Sequence, residues 1–268
     1  MSNLSVVVAF LGRDFRINIS YRASFALQTL ATVFQLTLFY YLSRVVDESE
    51  FTGRGLTGGY FAYAAVGLVV LTIVQVSVGS FALKLREEQT TGTFEALVAT
   101  PISPSLMVLS SAVYDLIRAT VSGLLVMAAA VVLFGLRFDV NPASIGTALL
   151  ALVGCLGLFA SVGIAVAALE VVFKRMTGLV GMLIAGLGLL AGVYYPVEVL
   201  PAPLETVANA LPLTWGIDVL RASLLGGEVD AGRLGGLFAS AALLLPAALL
   251  GFTAAVRRAR QTGTVGQY

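Results

Sequence analysis

The sequence predicts an all-α integral membrane protein with six transmembrane helices. Its 268 residues are 58% hydrophobic and 12% charged, and that charged fraction is about half of what a soluble domain carries. The mean hydropathy is +0.95. Five uncharged segments reach the length of about 20 residues that a helix needs to cross the hydrocarbon core. Water therefore cannot be the only solvent of this chain.

The first element, residues 1–22, is predicted to be a helix that lies along the membrane surface. Arg13 and Arg16 would point toward lipid headgroups, opposite an apolar side. An ordinary short lead-in to the first span is the alternative. The apolar side would consist of Val6, Val7, Phe10 and Ile17.

Six spans follow within the transmembrane domain, residues 23–256. The sixth candidate, 105–136, carries Asp115 and Arg118 in its first half. We expect it to begin in the interface and to cross with residues 119–136, with the two charges either neutralising each other or facing headgroups. The five uncharged spans are 23–43, 60–83, 143–169, 176–195 and 234–256.

The orientation follows from the basic residues, because cytoplasmic loops are enriched in Lys and Arg. With the N-terminus inside, ten basic residues are cytoplasmic and five are external. Both termini are therefore expected in the cytoplasm, including a basic tail over residues 257–268.

Residues 84–104 form the first cytoplasmic loop in this topology. The second span is expected to continue through 84–89 and to break at Thr91-Gly92-Thr93, because glycine relaxes the backbone. Ser103 and Pro104 would start the next span as its N-cap and first helical residue.

Between these two points the spacing predicts a short amphipathic helix. Phe94, Leu97 and Val98 fall on one face, Glu95 lies in the first turn where the helix dipole favours an anion, and Pro101 ends the helix. A docking surface for another protein is the favoured interpretation, and a solvated turn is the alternative.

Residues 194–232 are predicted to be external. They are rich in proline yet largely apolar, and the runs 204–211 and 213–225 are too short to span, which is typical of re-entrant or interfacial helices. Asp218 and Arg221 are spaced to pair on one helix face. A purely structural lid and a gate both remain open.

Polar and small residues suggest where substrate or neighbouring helices could lie. Gln28, Thr32 and Gln35 form a stripe on the first span, and Phe39 and Tyr40 lie near its outer end. These residues either line a pathway or serve as a helix interface and an aromatic belt. A ridge of Gly181, Ala185, Gly188 and Gly192 would let a helix of this chain or of a partner approach closely.

Several functions are excluded by residue content. Histidine is absent, the only cysteine is Cys155, and the net charge is +1, so we expect no catalytic residues, no metal site and no nucleic-acid binding. A P-loop needs Gly-Lys-Ser/Thr, but the only lysines are Lys84 and Lys174, which follow Leu83 and Phe173. Any ATP must be bound by another chain.

The stretch REEQTTGTFEALVATPISP resembles the loop after the second helix of ABC-2-type permeases, the membrane subunits of bacterial ABC exporters. The segment from Pro196 through Asn209-Ala210-Leu211-Pro212-Leu213-Thr214 to Arg221 is similar to that family's region before the last helix. With six spans and this length, the resemblance covers nearly the whole chain.

The resemblance implies a type V ABC exporter fold in the cytoplasmic membrane, a second permease subunit in a homodimer or heterodimer, and two copies of a separate ATPase that binds ATP and Mg²⁺. The cargo is expected to be amphiphilic (a drug, antibiotic or lipid), with polysaccharide or glycolipid export and an ion-coupled secondary transporter as alternatives. The outer re-entrant region would include Pro196, Pro201, Pro212, Asp218 and Arg221. The ATPase-contacting coupling helix would include Glu87, Glu88, Gly92, Thr93, Phe94, Glu95, Leu97, Thr100 and Pro101.

Overall fold

The computed structural model describes residues 3–20, 22–46, 57–92, 100, 102–173 and 177–261, and the secondary-structure elements in this part of the chain are helices joined by turns and short loops. A short 3₁₀ helix, Val197–Val199, lies between the sixth and seventh α-helices. The α-helices are α1 Asn3–Ser20, α2 Arg22–Leu42, α3 Gly59–Thr90, α4 Pro104–Phe134, α5 Pro142–Phe173, α6 Thr177–Leu190, α7 Ala202–Ala210, α8 Pro212–Leu225 and α9 Ala231–Gln261.

Four of these helices are long and apolar enough to cross a membrane: α3 over Gly59–Ser80, α4, α5 and α9. The described apolar stretches of α2 and α6 are shorter, Ala26–Leu42 and Gly178–Leu190. At 1.5 Å per residue, the 14 residues of α6 reach about 21 Å, which is less than a hydrocarbon core of about 30 Å. Every predicted span is thus a helix, and four reach full spanning length.

Helix α3 is the central element of the bundle. Almost all of its apolar span is buried, because α2, α4, α5, α6 and α8 all pack against it. Its run of Val, Ala and Leu has no polar face to present to water, as expected of a helix surrounded on all sides. Helix α9 packs along α5 on the outside of this centre.

The bundle has two ends, which we name by their connections. The α3–α4 end carries α1 and a small apolar cluster that includes Val6, Phe10, Met107 and Phe252. The α4–α5 end carries α7, α8 and the larger cluster around α3. The sequence predicts that the α3–α4 end is cytoplasmic.

The helix boundaries follow local rules that the sequence displays. Ser103 caps α4 by accepting a hydrogen bond from the Leu106 amide at 3.3 Å, and Pro104 is the first helical residue. At the start of α5, Asn141 and Ser144 exchange backbone-to-side-chain bonds of 2.9 Å in both directions, a reciprocal cap. The positions of Ser103 and Pro104 confirm the predicted start of α4, the third span.

The proline-rich segment forms α7 and α8, which correspond to the two short runs that the sequence predicts, and a 3₁₀ helix that it does not predict. Pro196 and Pro201 stand at the N-caps of the 3₁₀ helix and of α7, and Pro212 is the first residue of α8, positions where the missing N–H costs nothing. Unlike an external lid, α8 is mostly buried and packs against α3, α5 and α9.

Candidate functional site

The last three turns of α3 extend beyond its apolar span and lead to the segment predicted to couple to a partner. We call residues 81–90 the stem. The helix ends at Thr90, Thr91 donates a hydrogen bond to the Glu87 carbonyl at 2.7 Å, and Gly92 follows with φ +73°. That left-handed conformation suits glycine and strains β-branched residues. The predicted break is therefore confirmed at Thr91 and Gly92, and Thr93 lies outside the described residues.

Part of the predicted coupling helix lies outside the described residues. Within the described part, Glu87 and Gly92 are exposed, Glu88 is largely covered, and Thr100 is partly buried. The placement of the other members stays a prediction: Thr93, Phe94, Glu95, Leu97 and Pro101.

A chain of ion pairs joins the stem to α1. Asp14 is fully buried and accepts from Arg13 Nε at 2.9 Å and from the Lys84 ammonium. Arg13 Nη2 in turn lies 3.0 Å from Glu88 Oε1. Lys84 and Glu88 are one helical turn apart on α3 and hold the adjacent residues Arg13 and Asp14. A movement of the stem must therefore move α1 or break buried ion pairs.

These contacts correct the orientation expected for α1. Val6 and Phe10 do form a buried apolar face, which packs on α4 within a cluster that also includes residues of α5 and α9. Arg13, however, turns to Asp14 and Glu88 rather than to headgroups. Asp14 continues the Val6 and Phe10 face at four-residue spacing, so α1 docks on the bundle through apolar and ionic contacts together.

A second polar layer lies beside the ion pairs. Asp115 of α4 is only 2% exposed, so it does not face headgroups. Arg118 donates to the Ser80 hydroxyl of α3, and Lys84 Nζ lies 5.9 Å from the centre of the Tyr114 ring. The α3–α4 contact is thus polar at this end and apolar in the middle of the bundle.

Burial raises the pKa of Glu88 above its ordinary value of 4.5, although the charges of Arg13 and Lys84 oppose this shift. A carboxyl whose pKa is higher in the folded state binds more protons when folded, so folding stability falls as the pH rises above the unfolded value. We expect wild type to lose stability relative to Glu88→Gln as the pH is raised above 4.5. Thermal midpoints of both proteins over a pH series measure this. Parallel curves would contradict it.

At the α4–α5 end, Arg221 joins three elements. Its side chain is 2% exposed. Nε donates to the Tyr63 carbonyl of α3 at 3.1 Å, and Nη2 donates to the Val193 carbonyl after α6 at 2.9 Å. The guanidinium carbon also lies 3.5 Å from the centre of the Tyr63 ring, within cation–π range. We call these contacts the Arg221 anchor.

Gly67 makes room for the anchor. A Cβ at this position would lie 2.3 Å from the Val193 carbonyl oxygen and 2.6 Å from Arg221 Nη2. Only glycine lets the turn after α6 and the guanidinium approach α3 this closely. The predicted partner Asp218 is more distant, with Oδ1 4.0 Å from Arg221 Nη1, and its closer ion pair is with Arg233 of α9.

The polar stripe on α2 divides between the surface and the interior. Gln28 is exposed, whereas Thr32 is 8% exposed and donates to the Gln28 carbonyl at 3.2 Å. Gln35 is partly buried and hydrogen-bonds Tyr194. Thr32 and Gln35 therefore make these hydrogen bonds within their own chain, and the role of the stripe in a pathway stays a prediction.

The aromatic residues at the end of α2 pack inward. Phe39 stacks on Tyr194 with ring centres 5.5 Å apart, and Tyr40 meets Phe61 and Phe134 edge-on or tilted at 5.5 and 5.1 Å. Such pairs contribute about 0.5–1.5 kcal/mol beyond burial. These contacts join α2 to α3 and α4.

The glycine ridge on α6 contacts α3 at one end and is exposed at the other. A Cβ at Gly188 would lie 3.3 Å from Leu71 of α3, whereas Gly181 has open space beside it. One end of the ridge therefore serves packing within the chain, and the other end is exposed.

Sequence reasoning missed three buried charges: Asp14, Glu170 and the inward position of Arg221. Each continues an apolar helix face at a spacing of three or four residues, for example Ile217, Arg221 and Leu225 on α8. A charge in that register signals a buried polar contact. Among the described residues, no group of three or more Asp, Glu or Cys is placed to hold a metal ion.

Residues 6–225 match the ABC-2 type transporter family. The chain belongs to that family. The match covers α1, the stem, the coupling segment and the proline-rich helices up to the end of α8. Proteins of this family are the membrane subunits of ABC-type transporters and generally work with an ABC ATPase, so this chain is a transmembrane transport subunit. No curated protein matches the chain.

Proposed function

We propose that this permease is the membrane subunit of an ATP-driven exporter that moves an amphiphilic molecule out across the cytoplasmic membrane. A second permease subunit and two copies of a separate ATPase complete the transporter, and ATP and Mg²⁺ bind in the ATPase. The α3–α4 end faces the cytoplasm. The six helices α2, α3, α4, α5, α6 and α9 act as the spans, with α7 and α8 as the re-entrant elements.

One observation carries this proposal: the stem is joined to α1 by ion pairs and leads to the predicted coupling segment. The stem ends at Thr90, and Gly92 separates it from the segment that resembles a coupling helix. It is also held to α1 by the Asp14, Lys84, Arg13 and Glu88 ion pairs. A force applied to residues 93–101 thus reaches α1 and α3 together, and α3 touches most of the bundle.

The cargo is proposed to be a small amphiphile, because the spans present aromatic and aliphatic surfaces and no continuous acidic or basic track. Export of a polysaccharide or glycolipid is the nearest alternative within the class. Ion-coupled transport is a second candidate, favoured by the two acids Asp115 and Glu170 buried within α4 and α5, since such acids can carry protons in transporters.

Reconstitution separates these functions. Proteoliposomes containing the permease, with or without its cognate ATPase, are loaded with a fluorescent phospholipid or a cationic amphiphilic dye, and transport is followed with ATP or with an imposed pH gradient. We expect movement only with the ATPase and hydrolysable ATP. Transport driven by the pH gradient without ATPase would establish the ion-coupled mechanism instead.

A matched pair of substitutions tests the stem. Gly92→Val places a β-branched residue in the left-handed region, whereas Gly92→Asn places there a residue that tolerates it. A strain of about 1–2 kcal/mol in the valine variant should shift the coupling segment and reduce permease-stimulated ATPase activity, while the asparagine variant stays near wild type. Equal activity in all three proteins would remove the stem from the coupling pathway.

A further inference from the structure

An apolar cavity of about 220 Å³ lies in the half of the bundle nearest the α4–α5 end. Four helices form its walls: α3 with Val66 and Val70, α4 with Gly123 and Leu124, α5 with Leu149 and Leu152, and α8 with Leu220 and Leu224. Three of these four helices are long enough to span the membrane. The short helix α8 therefore meets the spans across this cavity.

The lining has almost no hydrogen-bonding capacity. Its one hydroxyl, on Thr120, already donates to the Leu116 carbonyl of its own helix at 2.8 Å. A water molecule needs two to four polar partners, and apolar cavities of about 150 Å³ stay dry yet bind small hydrocarbons. This cavity is larger and its lining is as apolar, so a hydrocarbon fits it better than water does.

The cavity opens on the side that faces the lipid. Its deep wall is buried, with Val66 and Val70 at most 2% exposed, whereas Leu124 and Leu149 at its mouth are 60% and 59% exposed. The mouth is continuous with the exposed apolar surfaces of α4 and α5, and in a transmembrane protein those surfaces contact bilayer lipid. The volume is below the range of about 300–1,000 Å³ that drug-sized ligands require.

We propose that this cavity is a binding site for one acyl chain of a bilayer phospholipid, inserted between α4 and α5 against α8. The acyl chain supplies apolar contacts that Leu220 and Leu224 would otherwise lack where they face the cavity. It thereby adds a contact between α8 and the spans beside the Arg221 anchor. This site requires no ATPase and stands apart from the proposed export function.

Photolabelling of the purified permease in phospholipid nanodiscs tests this proposal. A phosphatidylcholine with a diazirine in the middle of one acyl chain is irradiated, and adducts are mapped by mass spectrometry. A resident chain should label 123–127 and 145–152 about tenfold more than the surface around Leu243 and Leu250 of α9, as a preference of about 1.4 kcal/mol gives. That surface is a fair reference because both side chains are more than 70% exposed.

Two tryptophan variants on α5 give a matched control. Leu149→Trp fills the mouth of the cavity, whereas Val153→Trp adds the same ring one turn further along at similar exposure, 57%, outside the lining. Labelling of the cavity should fall to the level of α9 in the first variant and persist in the second. Equal labelling of cavity and α9 surface in wild type would overturn the proposal even if neither variant folds, since it would show only the ordinary lipid layer.

Discussion

Replacing Arg221 by methionine is expected to cost this permease about 3–5 kcal/mol, because the change removes two buried charge-assisted hydrogen bonds and a cation–π contact at once. The carbonyl oxygens of Tyr63 and Val193 then lose the hydrogen bonds that the guanidinium donates to them. Against a total stability of about 5–15 kcal/mol for a folded domain, this is a large loss. Methionine has an apolar side chain that fills much of the same space, so the loss of stability measures the guanidinium contacts rather than the creation of a cavity.

The glycine beneath the anchor supplies an independent test with an internal control. Gly67→Ala brings a methyl group within 2.3 Å of a carbonyl oxygen, whereas Gly79→Ala on the same helix adds a methyl group to open space. The second change should be neutral or should stabilise by up to about 1 kcal/mol, since alanine is the better helix residue. Gly67→Ala should resemble Arg221→Met.

The measurement is the thermal midpoint of the detergent-solubilised protein, followed by the monodisperse fraction after heating. Arg221→Lys distinguishes charge from geometry: a single ammonium cannot reproduce the two donors of the planar fork, so we expect only partial recovery. Midpoints for Arg221→Met and Gly67→Ala equal to those of wild type and Gly79→Ala would show that α8 is held by its apolar contacts alone.

The helices themselves could be predicted from the sequence because their signals are local. The uncharged runs predicted the positions of α2, α3, α5, α6 and α9, and the long run with two charges predicted α4. Ser103-Pro104 and Thr91-Gly92 predicted the boundaries on either side of the coupling segment. The length of α6 was overestimated, because residues 191–195 are as apolar as a span yet form a turn, with Gly192 at φ +70°.

The depth of α8 could not be predicted from length and proline content. A short proline-started helix reads equally well as a surface lid or as a buried element. What buries it is a set of contacts with α3, α5 and α9, and the bond from Arg221 to Tyr63 links residues 158 positions apart. No periodicity within 212–225 encodes that partner.

The buried charges did leave a local signal. Asp14 follows Val6 and Phe10 at four-residue spacing, and Arg221 lies between Ile217 and Leu225 in the same register. An ionisable residue on an apolar helix face must find a partner or remain at the surface. The register predicts burial, but only the tertiary fold identifies Lys84 and Tyr63 as the partners.

Breaking the ion pairs between α1 and the stem is expected to reduce permease-stimulated ATPase activity while the permease still folds. Lys84→Met removes the ammonium group that pairs with the buried Asp14 carboxylate, and Asp14→Asn removes the carboxylate that pairs with Lys84. Removing one member of a buried pair costs about 3–5 kcal/mol. Each single variant should therefore lower the thermal midpoint and reduce permease-stimulated ATPase activity.

The double variant Asp14→Asn/Lys84→Met gives the decisive comparison. Because both charges are gone, neither is left buried without its counterpart, and the loss of stability should be smaller than the sum of the two single losses by about 1–3 kcal/mol. Coupling should not recover with stability, since α1 and the stem are then joined by one ion pair fewer. A double variant that regains stability but not ATPase stimulation would therefore indicate that the ion pairs transmit force.

Arg86→Gln is the matched control, because Arg86 lies on the same stem and is exposed, where the loss of a charge contributes about 0–1 kcal/mol. It should leave both the midpoint and the stimulated ATPase activity near wild type. If the double variant recovers full ATPase stimulation together with its stability, the ion pairs only hold α1 in place. If it recovers stability alone, then Asp14 and Lys84 carry the motion of the stem into α1, and from there into α4, on which α1 packs.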